Sequence, residues 1–155
     1  MPLKEMEIDN CFGCEREFSD HFVSVLNSGS SPWGRVKSGV EFNYSGGRPD
    51  VVAKTDDNRI FAFELKLKKW KEAVHQAYRC TSFAQESYAV LPNNVAARVK
   101  DFDNDFDVRG IGLCTIYGNE IRIIRNAPTM TPIQEWLNTK VSEFVENNGT
   151  NPGSM

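Results

Sequence analysis

Two stretches decide the fold of this chain: residues 47–54, which read GRPDVVAK, and residues 60–66, which read IFAFELK. Both are short apolar runs, and the polar residues 55–59 between them predict a hairpin turn. Each run carries an acid where an ordinary strand would carry none, Asp50 in the first and Glu64 in the second. The chemistry of the hairpin therefore depends on where these two carboxylates point.

Strand side chains alternate between the two faces of a sheet. The two faces of the second strand are Ile60, Ala62, Glu64 and Lys66 against Phe61, Phe63, Leu65 and Leu67. We expect the aromatic face to meet a core, while Glu64 and Lys66 share the other face at the end of the strand, where open α/β sheets place their sites. In-register pairing across the turn brings Asp50 within a residue or two of Glu64.

Two neighbouring carboxylates repel each other, and a bound cation removes that conflict. Magnesium typically takes one or two carboxylates together with waters and a substrate phosphate, and the backbone carbonyl of Leu65 can add a ligand. A lysine beside the metal can orient the attacking water or contact the phosphate, which gives Lys66 a role. Asp50, Glu64 and Lys66 thus predict a Mg²⁺ or Mn²⁺ site for cleaving a phosphodiester. A solvated strand face is the alternative.

A third acid lies on a predicted helix over residues 15–27. The apolar stripe of this helix consists of Phe18, Phe22, Val25 and Leu26. Glu15 lies three residues before Phe18 and therefore on the same stripe, facing inward. A buried carboxylate needs a partner, so Glu15 can complete the metal shell or bind a second metal. Alternatively, it only complements the dipole at the helix N-terminus.

The remaining periodicities predict a single α/β domain. We expect strands at 35–44, 48–54, 60–67, 87–91, 110–117 and 120–125, and further helices at 69–83, 95–106 and 131–147. The strand at 87–91 is apolar throughout, as in a strand that is buried on both faces and parallel to its neighbour. Thr131 is the expected N-cap of the last helix, whose stripe is Ile133, Trp136, Leu137, Val141, Phe144 and Val145. Residues 1–10 and 148–155 are expected to be flexible tails.

The hairpin resembles the PD-(D/E)XK nuclease superfamily, whose members share the restriction-endonuclease-like fold. Pro49-Asp50 matches its PD element, and Glu64-Leu65-Lys66 matches its (D/E)XK element. The resemblance covers about residues 12–92. It implies an α-β-β-β-α-β core within a mixed β-sheet flanked by helices, with extra C-terminal strands and a helix. It also implies Asp50 and Glu64 as metal ligands, Lys66 as the catalytic lysine and an acid on the first helix, where Glu15 fits better by face than Glu17.

Many members of this superfamily carry a glutamine on the helix after the lysine, often with a tyrosine one turn later. Gln76 matches the glutamine, whereas Cys80 occupies the tyrosine position and Tyr78 is off by two. The resemblance implies that Gln76 bonds the Lys66 region or a phosphate; otherwise it is an ordinary polar helix residue. The implied activity is that of a Mg²⁺-dependent deoxyribonuclease acting on DNA. The structure of the DNA that is cut, and whether cleavage is internal or terminal, stay open.

The composition and net charge of the chain indicate which other functions have to be considered. With 155 residues, 40% hydrophobic and 25% charged, the chain is typical of one globular domain. The net charge of −3 argues against a general DNA coat and leaves open a catalytically inactive nucleic-acid- or protein-binding module that keeps the nuclease fold. No apolar run is long enough to span a membrane and no signal-peptide core is visible, so a cytoplasmic location is expected.

The four cysteines suggest a third hypothesis, a zinc-stabilised interaction domain. Cys11 and Cys14 have the spacing of half a zinc site, but no second close pair completes it. We therefore expect reduced, partly buried thiols, and the cysteine positions do not follow the iron–sulfur layout of the superfamily. Trp136 and Phe144 on the last helix can hold a homodimer interface or cover the sheet, and covering the sheet is the favoured interpretation.

Overall fold

The computed structural model describes residues 12–149. Most of the two predicted tails lies outside this range. The helices are α1 (Glu15–Leu26), α2 (Trp70–Cys80), α3 (Asn93–Val99), α4 (Asp103–Phe106) and α5 (Glu135–Asn148). The strands are β1 (Val36–Val40), β2 (Val51–Thr55), β3 (Ile60–Leu65), β4 (Glu86–Val90), β5 (Gly112–Tyr117) and β6 (Glu120–Arg125). Asn148, assigned to the C-terminal tail, is instead the last residue of α5.

The six strands form one mixed sheet in the order β1-β2-β3-β4-β5-β6. Strand β2 is antiparallel to both of its neighbours, β1 and β3, whereas β3, β4 and β5 are parallel, and β6 returns antiparallel to β5. Helix α2 connects the parallel pair β3 and β4, as the change of period along the sequence predicted. All five residues of β4 are buried, which confirms the expectation from its continuous apolar run. The chain therefore has an α/β fold with a six-stranded mixed sheet flanked by helices.

Both faces of the hairpin strand β3 are covered, and all six of its residues are buried. On one face, Phe63 packs against Phe22 of α1, with ring centroids 5.0 Å apart. On the other face, Ile60 and Ala62 belong to a cluster of buried residues that includes Leu137 of α5. The expected contact of the aromatic face with a core is correct. Because the opposite face is buried as well, an acid on that face lies deep in the protein.

Strand β1 ends at Val40, four residues earlier than the sequence predicted. Glu41 has a φ of +61°, the left-handed conformation that stops an extended strand. The chain then turns through the loop that contains Tyr44 and reaches Asp50 just before β2. Because β1 ends early, the segment around Tyr44 is a loop instead of a strand, and this loop forms part of the site described below.

The predicted C-terminal half needs two corrections. The helix expected over 95–106 is broken into α3 and α4. Helix α5 begins at Glu135, with Gln134 rather than Thr131 at the N-cap position. Ile133 is therefore outside the helix and 88% exposed, and Trp136 is 57% exposed, so neither belongs to the buried stripe.

Helix α5 covers the sheet through its buried residues, which are Leu137, Val141 and Val145. Phe144 adds an edge-to-face contact with Phe42, with ring centroids 5.1 Å apart. This is the role that the sequence favoured for the helix. The alternative, a homodimer interface, stays a prediction. Across residues 12–149, no helix combines the length and the apolar character that crossing a membrane requires.

Candidate active site

The structure places Asp50 beside Glu64. In the antiparallel pair β2–β3, Val51 lies opposite Phe63, so the residue before Val51 faces the residue after Phe63. The Asp50 carboxylate also accepts a hydrogen bond from the backbone N–H of Leu65, with 2.9 Å between Oδ2 and N. Hairpin register and this hydrogen bond together hold the two acids at the same end of the sheet.

Glu64 is unusually buried for a carboxylic acid, with only 3% of its surface exposed. The Cys80 thiol of α2 lies against it, with 3.8 Å between Sγ and Oε1. Burial, and next the negative charge of Asp50, raise the pKa of Glu64 to about 9. Without a cation, Glu64 is therefore protonated at neutral pH. Residues with strongly shifted pKa values of this kind are concentrated at functional sites.

Lys66 follows the end of β3 and is half-buried. Its backbone N–H donates to the Val90 carbonyl of β4, at 3.3 Å, which extends the parallel pairing by one residue. Its ammonium lies 3.8 Å from a carboxylate oxygen of Glu15 and 3.8 Å from one of Glu72. These contacts are long for ion pairs, so neither carboxylate engages the ammonium tightly.

Glu15 occupies a different place from the one predicted. It is 45% exposed rather than buried on the apolar stripe. Its Oε2 accepts a hydrogen bond from the backbone N–H of Leu67, at 3.2 Å, while Glu17 turns back to accept one from the N–H of Gly13. Glu15 is the acid of α1 that lines the larger cleft, although it does so from an exposed position rather than from the apolar stripe. It contacts the Lys66–Leu67 segment.

The predicted three-acid shell is not assembled. Within residues 12–149, no group of three or more histidine, cysteine, aspartate or glutamate side chains is placed to hold a metal ion together. Asp50 and Glu64 form a pair, from which Glu15 is separate. Two carboxylates and a backbone carbonyl such as that of Leu65 still match what Mg²⁺ usually takes from a protein, since that ion keeps several waters. These donors are therefore of the kind that Mg²⁺ takes, and Asp50, Glu64 and the Leu65 carbonyl are the groups that would hold it.

Two clefts meet at this pair. The larger has a volume of about 510 Å³ and extends towards α1, and the smaller has about 210 Å³ and extends towards α2. Both are lined by Arg48, Pro49, Asp50 and Lys66. Gln76 lines the smaller cleft together with Glu64, so the glutamine on the helix after the lysine does face the site.

Three side chains of the smaller cleft were missed by the sequence interpretation: Tyr44, Arg48 and Arg79. Burial, more than any other cause, raises the pKa of Tyr44 to about 12, and Cys80 and Glu64 act in the same direction. Two of them, Arg48 and Arg79, could have been found from their sequence positions relative to the predicted site residues. Arg48 is adjacent to the Pro49-Asp50 element, and Arg79 lies one helical turn after Gln76. Tyr44 could not be assigned, because strand β1 was expected to include it.

Within residues 12–149, the cysteines are not grouped with enough other potential ligands to hold a metal ion. Cys14 is exposed, whereas Cys80 and Cys114 are buried free thiols, so the expectation of partly buried thiols is correct for Cys80 and Cys114 but not for Cys14. Cys11, the other half of the predicted zinc pair, lies outside residues 12–149. The zinc hypothesis therefore stays a prediction.

Comparisons with known proteins address the fold. No family model matches this chain, and no curated protein matches it. Among solved structures, the chain is similar to SPO1766, described as a protein of unknown function from Silicibacter pomeroyi, with a TM-score of 0.51. The two sequences are 16% identical, and the similarity covers 72% of this chain and 69% of that one. At this identity the likeness concerns the fold alone.

Proposed function

We propose that this protein is a divalent-metal-dependent nuclease that hydrolyses DNA phosphodiester bonds through a PD-(D/E)XK site. The observation that carries the proposal is the pairing of Asp50 with the buried Glu64 across the β2–β3 hairpin, at the junction of two clefts that Lys66 also lines. A buried carboxyl next to a second carboxyl is costly for stability and needs a reason. Binding a divalent cation supplies one.

The order of the elements supports the same proposal. Helix α1, strands β1 to β3, helix α2 and strand β4 follow one another as α-β-β-β-α-β. This is the order that the resemblance to the restriction-endonuclease-like fold implies. The candidate residues also lie at the end of β3 where the parallel part of the sheet begins, a usual position for sites in α/β proteins.

The roles of the residues follow from their positions. Asp50, Glu64 and the Leu65 carbonyl would hold Mg²⁺ or Mn²⁺. When bound, the ion supplies an activated water and neutralises charge on the phosphate. The Lys66 ammonium contacts the phosphate or the attacking water from the same side. Glu15 helps to position Lys66 and the segment that follows it, through its contact with the Leu67 N–H. Gln76 lines the smaller cleft, where its amide can bind the DNA strand.

An acidic chain needs local positive charge to bind DNA. Here the cationic side chains along the two clefts are Arg16, Arg48, Lys66 and Arg79. Guanidinium groups suit phosphate because they can form two parallel hydrogen bonds with it. A local binding surface of this kind is compatible with a net charge of −3.

Cleavage of labelled linear, nicked, branched and single-stranded DNA in the presence of Mg²⁺ or Mn²⁺ tests the proposal. We expect metal-dependent cleavage that Glu64→Gln and Asp50→Asn abolish. Asp56→Asn is the matched control, since it removes the same charge from the turn at the far end of the hairpin. A wild-type protein that cuts none of these substrates, but binds them, would favour the inactive nucleic-acid-binding module instead.

A further inference from the structure

The two clefts differ in charge although they share four residues. The larger cleft has three cationic side chains and four carboxylates, since Glu15, Asp20 and Glu41 line it in addition to Asp50. The smaller cleft also has three cationic side chains but only two carboxyl groups, Asp50 and Glu64, both of which belong to the acid pair. An anionic group that approaches the pair is therefore favoured on the side of α2.

The two arginines of the smaller cleft are Arg48 and Arg79. Across residues 12–149, neither of them has a carboxylate within ion-pair distance, whereas Arg59, Arg109, Arg122 and Arg125 each have at least one. Arg48 precedes the Pro49-Asp50 element directly. Arg79 is in the last turn of α2 and close enough to Tyr44 to lower the pKa of its hydroxyl against the dominant effect of burial. Both guanidinium groups are exposed and available for an external anion.

The turn from Tyr44 to Gly47 lines the smaller cleft, and several contacts hold it in place. The backbone groups of Tyr44 and Gly47 exchange two hydrogen bonds, of 3.0 and 3.1 Å, which close a tight turn. Gly47 has a φ of +147°, which favours glycine. At Gly46, a Cβ atom would lie 2.5 Å from Cε2 of Tyr44, so only glycine lets the ring keep its place. That ring packs against Phe83, with centroids 5.3 Å apart.

We propose that the smaller cleft is a phosphate-binding subsite for the substrate strand, in which the guanidinium groups of Arg48 and Arg79 bind the phosphate and Tyr44 forms part of the wall. This assignment rests on the proposed nuclease function and adds the side from which the strand enters. The cleft's 210 Å³ suits one phosphate with part of a nucleotide. A strand anchored there reaches the acid pair with its neighbouring phosphodiester.

Binding measured without metal tests the subsite separately from cleavage. Fluorescence anisotropy in EDTA follows a labelled single-stranded oligonucleotide, with inorganic phosphate as a competitor. Arg48→Gln and Arg79→Gln are each expected to weaken binding by about tenfold, since a charge-assisted hydrogen bond is lost. Arg98→Gln is the matched control. It removes the same charge from an exposed arginine of α3 that lines neither cleft, and we expect it to bind as the wild type does.

The source of the phosphate is resolved with four probes: oligonucleotides bearing a 5′-phosphate, a 3′-phosphate or hydroxyls at both ends, and a closed single-stranded circle. Tighter binding of one phosphorylated end would assign the subsite to a strand terminus. Equal binding of the circle would assign it to the internal backbone. Both results support the subsite, provided that Arg48→Gln and Arg79→Gln weaken the binding of the same oligonucleotide.

Two results would overturn the subsite. One is equal weakening by Arg98→Gln, which would show that only net charge matters. The other is binding of inorganic phosphate without binding of any oligonucleotide. Metal-dependent cleavage that persists in either case would leave the proposed nuclease function standing, so the two failures can be told apart.

Discussion

The carboxylate of Asp50 accepts a hydrogen bond from the backbone N–H of Leu65 at 2.9 Å, although the two residues are on opposite arms of the hairpin. Leu65 is the last residue of β3, and Asp50 directly precedes β2. The contact extends the pairing of the two strands by one step beyond Val51 and Phe63. It also engages one of the two carboxylate oxygens of Asp50, Oδ2. Asp50 therefore has a structural role in addition to the proposed metal-binding one, and asparagine, which can accept the same hydrogen bond, is the informative substitution.

The stability of the metal-free protein is expected to fall as pH rises from about 5 to about 9. The pKa of Glu64 is about 9 in the folded protein and 4.5 as its ordinary value. Between these values the folded protein keeps a proton that the unfolded chain has lost, so unfolding becomes easier with increasing pH. Urea unfolding in EDTA measures this as a slope on the order of 1 kcal/mol per pH unit at most. Glu64→Gln should flatten the slope, and an unchanged slope in this variant would contradict the shifted pKa.

Mg²⁺ or Mn²⁺ is expected to raise the melting temperature of the wild-type protein. A ligand that binds only the folded state stabilises it by about 2.7 kcal/mol at a concentration 100 times its Kd. Differential scanning fluorimetry at increasing metal concentrations measures the shift. Asp50→Asn and Glu64→Gln should lose most of it, whereas Asp56→Asn should keep it. If Asp50→Asn responds to the metal as the wild type does, the ion is not bound at this pair.

Substituting Lys66 by methionine is expected to reduce turnover while leaving metal binding in place. Methionine keeps an unbranched side chain, one heavy atom shorter than lysine, and removes the charge that would contact the phosphate. Loss of a charged group that acts on the transition state typically lowers kcat by about 100-fold or more. Because the ion pairs of Lys66 with Glu15 and Glu72 are 3.8 Å long, stability should change by less than about 1 kcal/mol. Turnover assays and fluorimetry together separate the two effects.

Lys140→Met on α5 is the control for this variant, since it removes the same charge from an exposed position outside both clefts. Equal losses of turnover in the two lysine variants would show that Lys66 acts only through net charge. Loss of the metal-induced shift in Lys66→Met would place the lysine in metal binding instead.

Gly112→Ala is expected to destabilise the fold by about 1–3 kcal/mol, the usual cost of overpacking. A Cβ atom at this position would lie 2.6 Å from the backbone carbonyl oxygen of Arg125 and would also overlap the ring of Tyr88. Tyr88 is buried and donates a hydrogen bond to Glu86, so it has little room to move. Chemical unfolding compares this variant with Gly13→Ala, where the nearest atom is 3.4 Å away on a flexible side chain and the change should stay within about 0.5 kcal/mol. Similar stabilities for the two variants would contradict the close packing of β4 against β5.

Much of the fold could be predicted because its signals are local. The hairpin of β2 and β3, the switch to helical period at α2 and the buried run of β4 are each visible within a window of about ten residues. The errors occurred where the end of a strand or helix depends on the conformation of a single residue or on contacts with residues far away in the sequence. Glu41 ends β1 early by adopting a positive φ, which glutamate rarely does. Helix α5 begins at Glu135, although Thr131 and Pro132 form a typical helix start.

For the site, the sequence by itself determined the pairing of Asp50 with Glu64 and the nearby lysine, because strand alternation and hairpin register are set by neighbouring residues. Only the tertiary structure decided that Glu64 is buried, since Cys80 of α2 and the cluster around α5 close over that face of the sheet. Tertiary packing also left Glu15 half exposed against the Leu67 N–H. It brought Tyr44 and Arg79 to one wall of the smaller cleft from segments 35 residues apart, a distance over which no local pattern carries information.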